Sequence, residues 1–310
     1  MAPNLAAHAL AFTLAVAGCA SAPLPLSDGK VIATRGGETY VRNWGVVSGP
    51  AVLLIHGSTS HLVDFDVALG PQLSGRYHLI AYDRPGMGRS RKRPGDAAKL
   101  AIQAETAADV IRAEHPSGPV VVIGHSYGGA VALRLALDHP ELVSGLVLLA
   151  PASHPWGGKA PFFYALEAMP VAGEIITTLV WPFAEAAAKG SLPSRAFAPR
   201  PVPDGYFEKA EVRLALRPAA LRATAADFDA LPKQLEAQAR RYDELTMPIV
   251  TIQGENDHVV PVALIKTKSS FSHGKLVFVP GAGHMVQHAA PEIVDREVGW
   301  VLEEAAKTPH

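Results

Sequence analysis

Val120-Val121-Val122-Ile123-Gly124-His125-Ser126-Tyr127-Gly128-Gly129-Ala130 is the stretch on which the fold of this chain turns. Val120 to Ile123 are four β-branched residues in a row, which suits a strand buried on both faces. Ala130 to Leu137 then runs Ala-Val-Ala-Leu-Arg-Leu-Ala-Leu, a sequence of good helix formers. Between strand and helix stands Gly124-His125-Ser126-Tyr127-Gly128, a G-x-S-x-G turn. Glycine on either side of the central three residues permits a tight backbone, so the Ser126 hydroxyl is expected at an exposed, strained tip. The N-terminus of the following helix favours negative charge developing there. In a chain with 27 glycines the five-residue pattern alone is a weak signal. The strand before it and the helix after it make it a candidate nucleophile site.

Outward from this turn the same rhythm repeats. Val52 to Ile55, Leu79 to Tyr82, Leu146 to Leu149, Ile249 to Ile252 and Leu276 to Val279 are short apolar runs of the same kind. Strands that read this way belong to a parallel sheet covered by helices on both faces. Helical segments lie between them. Ala97 to Glu114 contains no Gly or Pro, and Val294, Val298, Val301 and Leu302 form a stripe at i, i+4, i+7, i+8 behind Pro291. Gly29 to Trp44 alternates around Gly36-Gly37 as an antiparallel hairpin does. The expected class is α/β, a mostly parallel sheet with helices on both faces. Pro151 to Thr246 breaks the rhythm. It holds many prolines, Phe162, Phe163, Phe183 and three further Phe, with Trp156 and Trp181, and reads as a mostly helical insertion. Pro232 to Arg241 leads the chain back toward the sheet.

Composition narrows the function classes. The chain has 310 residues, 48% apolar and 18% charged, enough for a sizeable core. A net charge of -1 supplies no global basic field for nucleic acid. A single cysteine, Cys19, excludes an intramolecular disulfide framework and a Cys-rich metal site. No run after residue 30 is long enough to cross a bilayer as an apolar helix.

Three more strand ends carry chemistry. His56-Gly57-Ser58 follows Val52 to Ile55. A hydrolytic serine needs two N–H donors aimed at the oxyanion, and Ser58 together with Tyr127, the residue after Ser126, are the candidates. His56 reads as a brace for its loop. Asp257, in Gly254-Glu255-Asn256-Asp257-His258, follows Ile249 to Ile252 and is placed to orient an imidazole, with Glu255 as the alternative carboxylate. His284, in Gly281-Ala282-Gly283-His284, follows Leu276 to Val279. Of 13 histidines it alone combines a Gly-rich strand-end loop with a position after both Ser126 and Asp257. His284 and His288 also have the i, i+4 spacing of a helical zinc site, but Met285 stands where such a site carries Glu. Arg89-Ser90-Arg91-Lys92-Arg93 reads as a solvated basic loop edge.

The order Ser126, Asp257, His284 at the ends of successive strands resembles the α/β-hydrolase superfamily over nearly the whole of Lys30 to Lys307. Asp83-Arg84-Pro85-Gly86-Met87-Gly88-Arg89-Ser90 is similar to the family's structural D-x-x-G-x-G-x-S loop. The resemblance implies an α/β-hydrolase fold with a cap insertion at 151–246 and a core at 29–150 and 247–310. It implies a cofactor-independent serine esterase with Ser126, Asp257 and His284 as the triad, acting on a small ester with an apolar acyl or aryl group. Dehalogenases and epoxide hydrolases of the fold use an Asp nucleophile, which Ser126 does not match. Lactonase, carbon–carbon hydrolase, amidase and metal-free haloperoxidase chemistry use the same apparatus, and a non-catalytic ligand-binding lipoprotein is the reading from another class. Ser60-His61 departs from the family, many of whose members carry a further Gly in that loop.

The N-terminus carries a separate message. Leu5 to Ala17 has no Asp, Glu, Lys or Arg and ends in Val16-Ala17-Gly18-Cys19, which resembles a bacterial lipobox. Met1 to Asn4 lacks the usual basic residue. The expectation is a lipoprotein-type signal peptide at 1–18, a tether at 19–28, and export with lipid attachment at Cys19 to a bacterial membrane.

Overall fold

The computed structural model describes residues 28–115, 117–155, 192–268, 271 and 274–307. Its sheet has nine strands: β1 (Lys30–Thr34), β2 (Gly37–Gly45), β3 (Ala51–Ile55), β4 (His78–Tyr82), β5 (Arg91–Lys92), β6 (Val120–His125), β7 (Val143–Leu149), β8 (Ile249–Gly254) and β9 (Gly274–Val279). The order is β1-β2-β4-β3-β6-β7-β8-β9, with the short β5 beside β2. The β1–β2 hairpin and the β2–β4 pairing are antiparallel, and every pairing from β4 through β3 to β9 is parallel. The chain steps from β3 outward to β4 on one side and then to β6 on the other. The crevice between the ends of β3 and β6 is therefore the topological switch point, where open α/β sheets bind their ligands.

Alternation along each strand sorts the core into two layers. Leu53, Ile55, Val120, Val122, Leu146 and Leu148 pack under α2 (Leu100–Glu114) and α3 (Tyr127–Asp138). Val52, Leu54, Val121, Ile123, Val147 and Leu149 pack on the other face, under α1 (Val63–Leu73) and α9 (Pro291–Lys307). Each run of consecutive apolar residues feeds both layers at once, which is why it reads as continuous.

The described part of the insertion is helical, with α4 (Leu192–Phe197), α5 (Tyr206–Lys209) and α6 (Pro218–Ala239). Pro232 lies inside α6, which continues past it to Ala239 before a 3-10 turn, Tyr242–Glu244, delivers the chain to β8. Helix α2 starts at Leu100 rather than at Ala97. The Leu100 N–H donates to the Gln234 side chain of α6 at 2.6 Å, and the Ala97 carbonyl accepts from the Gln103 side chain. Both contacts come from folding back of distant or helical residues, and they leave 97–99 as a turn. The expected signal peptide at 1–18, Cys19 and most of the expected tether lie outside the described residues, as do Trp156, Phe162, Phe163, Trp181 and Phe183. After β9 the chain forms α8 (Val286–Ala289), and between β8 and β9 it forms α7 (Val262–Lys268). No described helix is long and apolar enough to cross a membrane.

Candidate active site

Ser126 sits between β6 and α3 with φ 53° and ψ -116°, a region that non-glycine residues seldom occupy. The turn is held there from several sides. The Ser126 N–H donates to the Leu149 carbonyl at 2.9 Å, and its own carbonyl accepts from Gly129 and Ala152, both at 2.9 Å. Gly128 lets this happen close to β3. A Cβ on Gly128 would overlap the Ile55 carbonyl oxygen, so the first turn of α3 rests directly on the end of β3. The strained strand–turn–helix expected around Ser126 is thus present, at the switch point.

His284 and Asp257 meet across the ends of β8 and β9. The His284 Nδ1–H donates to Asp257 Oδ2 at 2.8 Å. Asp257 is buried, and its remaining capacity is filled by the Gln253 side chain at 2.8 Å and the backbone N–H groups of Val259 and Val260 at 2.7 and 3.0 Å. Burial by itself would raise its pKa, yet the hydrogen bond and charge of His284 and the two amides hold it below the ordinary carboxylate value. Asp257 is thereby fixed as an anion that orients the imidazole and leaves Nε2 unused. Glu255, the alternative carboxylate, is exposed. The His284 loop is anchored twice more. Its N–H donates to the Ala196 carbonyl of α4 at 3.0 Å, and its carbonyl accepts from His125 Nε2 at 3.1 Å.

The His125 ring also packs against that of His284, with centroids 4.8 Å apart and the planes tilted by 48°. Burial, with His284 beside it, pushes the His125 pKa down to about 3, so it is neutral at physiological pH.

Ser58, Tyr127, Ser126 and His284 line one cavity of about 440 Å³. Among the described residues the Ser58 and Tyr127 backbone N–H groups have no acceptor. The rest of the wall is largely apolar, including Phe197, Leu216, Leu221, Phe228, Leu231 and Met285, and no described Lys or Arg lines it. Phe197, Tyr206 and Phe228 thus place three aromatic residues of the insertion on the wall.

The supporting loops behave as expected. Asp83 is buried; Oδ1 accepts from the Leu62 N–H at 2.9 Å and Oδ2 from the Arg89 N–H at 2.7 Å. Ser90 donates to the Asp83 carbonyl at 2.6 Å and accepts from the Tyr40 N–H at 2.8 Å. His56 is a brace. Its Nε2 accepts the Arg84 N–H at 2.9 Å, so Nδ1 carries the proton and donates to the Gly57 carbonyl at 2.8 Å. In the basic loop edge, Arg91 and Lys92 are exposed while Arg89 pairs with Glu211 at 2.7 Å. His288 is committed elsewhere, its Nε2 bonding Asp64 at 2.8 Å.

Two groups escaped the sequence reading. One is the buried cluster of Asp64, Tyr206, Gln287 and His288; the other is the buried ion pair of Arg84 with Asp227 at 2.7 Å. Arg84 stands inside the quoted D-x-x-G loop. The signal that it is special is a guanidinium two residues past the fully buried strand β4. Nothing local marks Asp227 on α6.

Comparisons with known proteins agree with this architecture. The model of the Alpha/beta hydrolase family matches residues 52–297. A 2-(acetamidomethylene)succinate hydrolase of Mesorhizobium japonicum is 30% identical over 256 residues, covering 79% of this chain and 85% of its own. A pimeloyl-(acyl-carrier protein) methyl ester esterase of Nitrosomonas europaea is 31% identical over 258 residues, covering 79% and 92%. Among solved structures, an alpha/beta hydrolase fold protein from Burkholderia ambifaria superposes with TM-score 0.70 at 24% identity, over 89% of this chain and 99% of that one. With its sheet order, its strand-end loops and a family match across most of its length, the chain belongs to the alpha/beta hydrolase family.

Proposed function

We propose that the protein is a serine hydrolase that cleaves carboxylic esters through an acyl-enzyme. The observation that carries this reading is the convergence on one cavity of a strained Ser126, an Asp257-bound His284 and two acceptor-free backbone N–H groups. His284 Nε2 takes the proton of Ser126 as Oγ adds to the ester carbonyl, and the Ser58 and Tyr127 amides bind the oxyanion. Collapse of the tetrahedral species breaks the ester C–O bond, and the imidazolium returns its proton to the leaving alcohol. Water, deprotonated by His284, then releases the acid and restores Ser126. The carboxylate of Asp257 stabilises the imidazolium at each stage without taking the proton.

An apolar wall free of described cations favours neutral substrates with apolar acyl or aryl groups. The relatives named as an esterase and as a hydrolase of an acetamido-substituted succinate support hydrolysis at an acyl carbon as the reaction class. The test is an aryl-ester series run beside amide, lactone, vinylogous diketone and peracid-forming assays. Ester turnover is expected; cleavage of another class with all esters inert would replace this reading while keeping the triad. For the N-terminus we infer export and lipid attachment at Cys19. Membrane fractionation that is lost in Cys19→Ser supports it, and an unmodified Met1 start in the cytosol refutes it.

A further inference from the structure

Arg84 is fully buried, and its guanidinium touches both halves of the proposed oxyanion hole. Arg84 Nε donates to the His56 carbonyl at 3.1 Å and Nη2 to the Gly57 carbonyl at 3.2 Å. The Gly57 carbonyl also accepts from His56 Nδ1 at 2.8 Å. The peptide that follows is trans, since the one cis bond among the described residues is Ala198-Pro199. In a planar trans peptide the N–H points opposite to the C=O. Two donors gripping the Gly57 carbonyl therefore turn the Ser58 N–H away from Arg84 and the His56 ring, and Ser58 is a residue that lines the cavity. On the other half, the Arg84 guanidinium carbon lies 4.2 Å from the centroid of the Tyr127 ring.

A buried guanidinium needs a counter-charge, and the insertion supplies it. Arg84 Nη1 donates to Asp227 Oδ2 of α6 at 2.7 Å, with Gln103 as a second, longer acceptor at 3.4 Å. The Tyr127 phenol itself donates to the Ala98 carbonyl at 3.4 Å. Asp227 thus fixes Arg84, and Arg84 in turn packs on the Tyr127 ring and holds the Gly57–Ser58 peptide.

We propose that Arg84 and Asp227 are positioning residues for the oxyanion hole, through which the cap helix α6 sets the direction of the Ser58 N–H. The proposal rests on the serine-hydrolase reading above. A loop amide displaced by about 1 Å costs turnover on the order of 100-fold, because the donor serves the transition state more than the bound ester.

The experiment compares the parent, Arg84→Gln and Asp227→Asn for kcat, KM and inhibition by an alkyl trifluoromethyl ketone. Addition of Ser126 Oγ to that ketone gives a hemiketal oxyanion in the same hole. Arg84→Gln is expected to lose about 100-fold in kcat with KM nearly unchanged, and to weaken the ketone by a similar factor. Asp227→Asn is expected to lose about tenfold in both. Each single variant leaves a buried partner unpaired, so a second variant guards against unfolding. In Arg84→Met with Asp227→Leu the buried charges leave together, a change that proteins often tolerate without loss of stability. Once shown folded by its thermal transition, it should show the same loss in kcat and ketone affinity. Parental kcat and ketone affinity in that folded double variant, or a loss confined to KM, would overturn the assignment. A parent that turns over no ester and binds no ketone overturns the serine-hydrolase reading, and this assignment with it. A reactive parent with unaffected variants overturns this assignment alone.

Discussion

Two buried Asp–His pairs, whose histidines His284 and His288 stand one helical turn apart in sequence, are wired in opposite ways. In the Asp257–His284 pair the imidazole uses Nδ1 for the carboxylate, and the carboxylate is otherwise held by two backbone amides and Gln253. In the Asp64–His288 pair the imidazole uses Nε2, and Asp64 shares its oxygens with the Tyr206 phenol at 2.7 Å and the Gln287 amide at 3.0 Å. Both pairs have a 2.8 Å contact. Only His284, of the two imidazoles, lines the cavity with Ser126. Burial would raise the Asp64 pKa, but His288, Tyr206 and Gln287 together hold it well below the ordinary carboxylate range. Tyr206 belongs to α5 of the insertion, while Asp64 and His288 belong to α1 and α8 of the core. The second pair is a clasp between insertion and core. What separates the two pairs is that His284 shares a cavity with Ser126, and a short Asp–His distance alone does not supply that.

The sharpest way to break this contrast is to neutralise each carboxylate. Asp257→Asn should lower kcat by about 10⁴-fold, since the imidazole loses the group that fixes its tautomer and stabilises its charged form. The melting temperature should fall as well, because Asp257 also belongs to a buried pair, but the protein should remain folded. Equal turnover in parent and Asp257→Asn, with a collapse in Glu255→Gln, would transfer the role to Glu255.

Asp64→Asn should cost stability while sparing turnover. Removing one partner of a buried pair costs about 3 kcal/mol or more, read as a lower urea midpoint, while kcat stays within an order of magnitude. A loss of turnover as large as that of Asp257→Asn would give the clasp a chemical role.

Acid sharpens the picture further through the neutral histidines. His56 and His125 are both fully buried, and burial pushes both below their ordinary value of 6.5, with Arg84 adding to the effect on His56 and His284 to that on His125. The unfolded chain protonates them near 6.5, whereas folded His125 waits until about 3. Below 6.5 the unfolded state binds more protons, so stability falls as pH falls through that window. Each histidine contributes up to about 1.4 kcal/mol per pH unit. Urea midpoints measured down the acid limb should show a shallower slope in His125→Gln than in the parent. An unchanged slope would contradict a neutral His125.

The smallest effect concerns the wall of the cavity. Each added acyl methylene should gain about 0.8 kcal/mol, roughly fourfold in kcat/KM, until the space is filled. Phe228→Ala should extend the series by making room. Rates independent of acyl length would mean that Phe197 and Phe228 serve the insertion's own packing alone.

How much of this was legible in the sequence follows from distance along the chain. The strands announced themselves because residues such as Val121 and Val122 face opposite covered layers, leaving no polar position in the run. Ser126 and His284 were legible as candidates because each follows such a strand in a Gly-bearing loop, and Asp257 because it is a carboxylate in the loop after β8. The Arg84–Asp227 pair spans 143 residues and the Asp64–His288 pair 224, and neither leaves a local pattern. A lone Asp on an amphipathic helix reads the same whether it meets water or a buried guanidinium. The start of α2 was misplaced for the same reason, since Gln234 of α6 caps it from a distant part of the chain.

The central claim, that Ser126 is an activated nucleophile served by His284, is tested most directly by covalent labelling. A fluorophosphonate should add once to the folded protein, with loss of fluoride, and peptide mass analysis should place the phosphonyl group on the peptide containing Ser126. Ser126→Ala should take no label while keeping its thermal transition, and His284→Ala should label far more slowly. A folded parent that takes no label, or a label that persists in Ser126→Ala, would contradict the account.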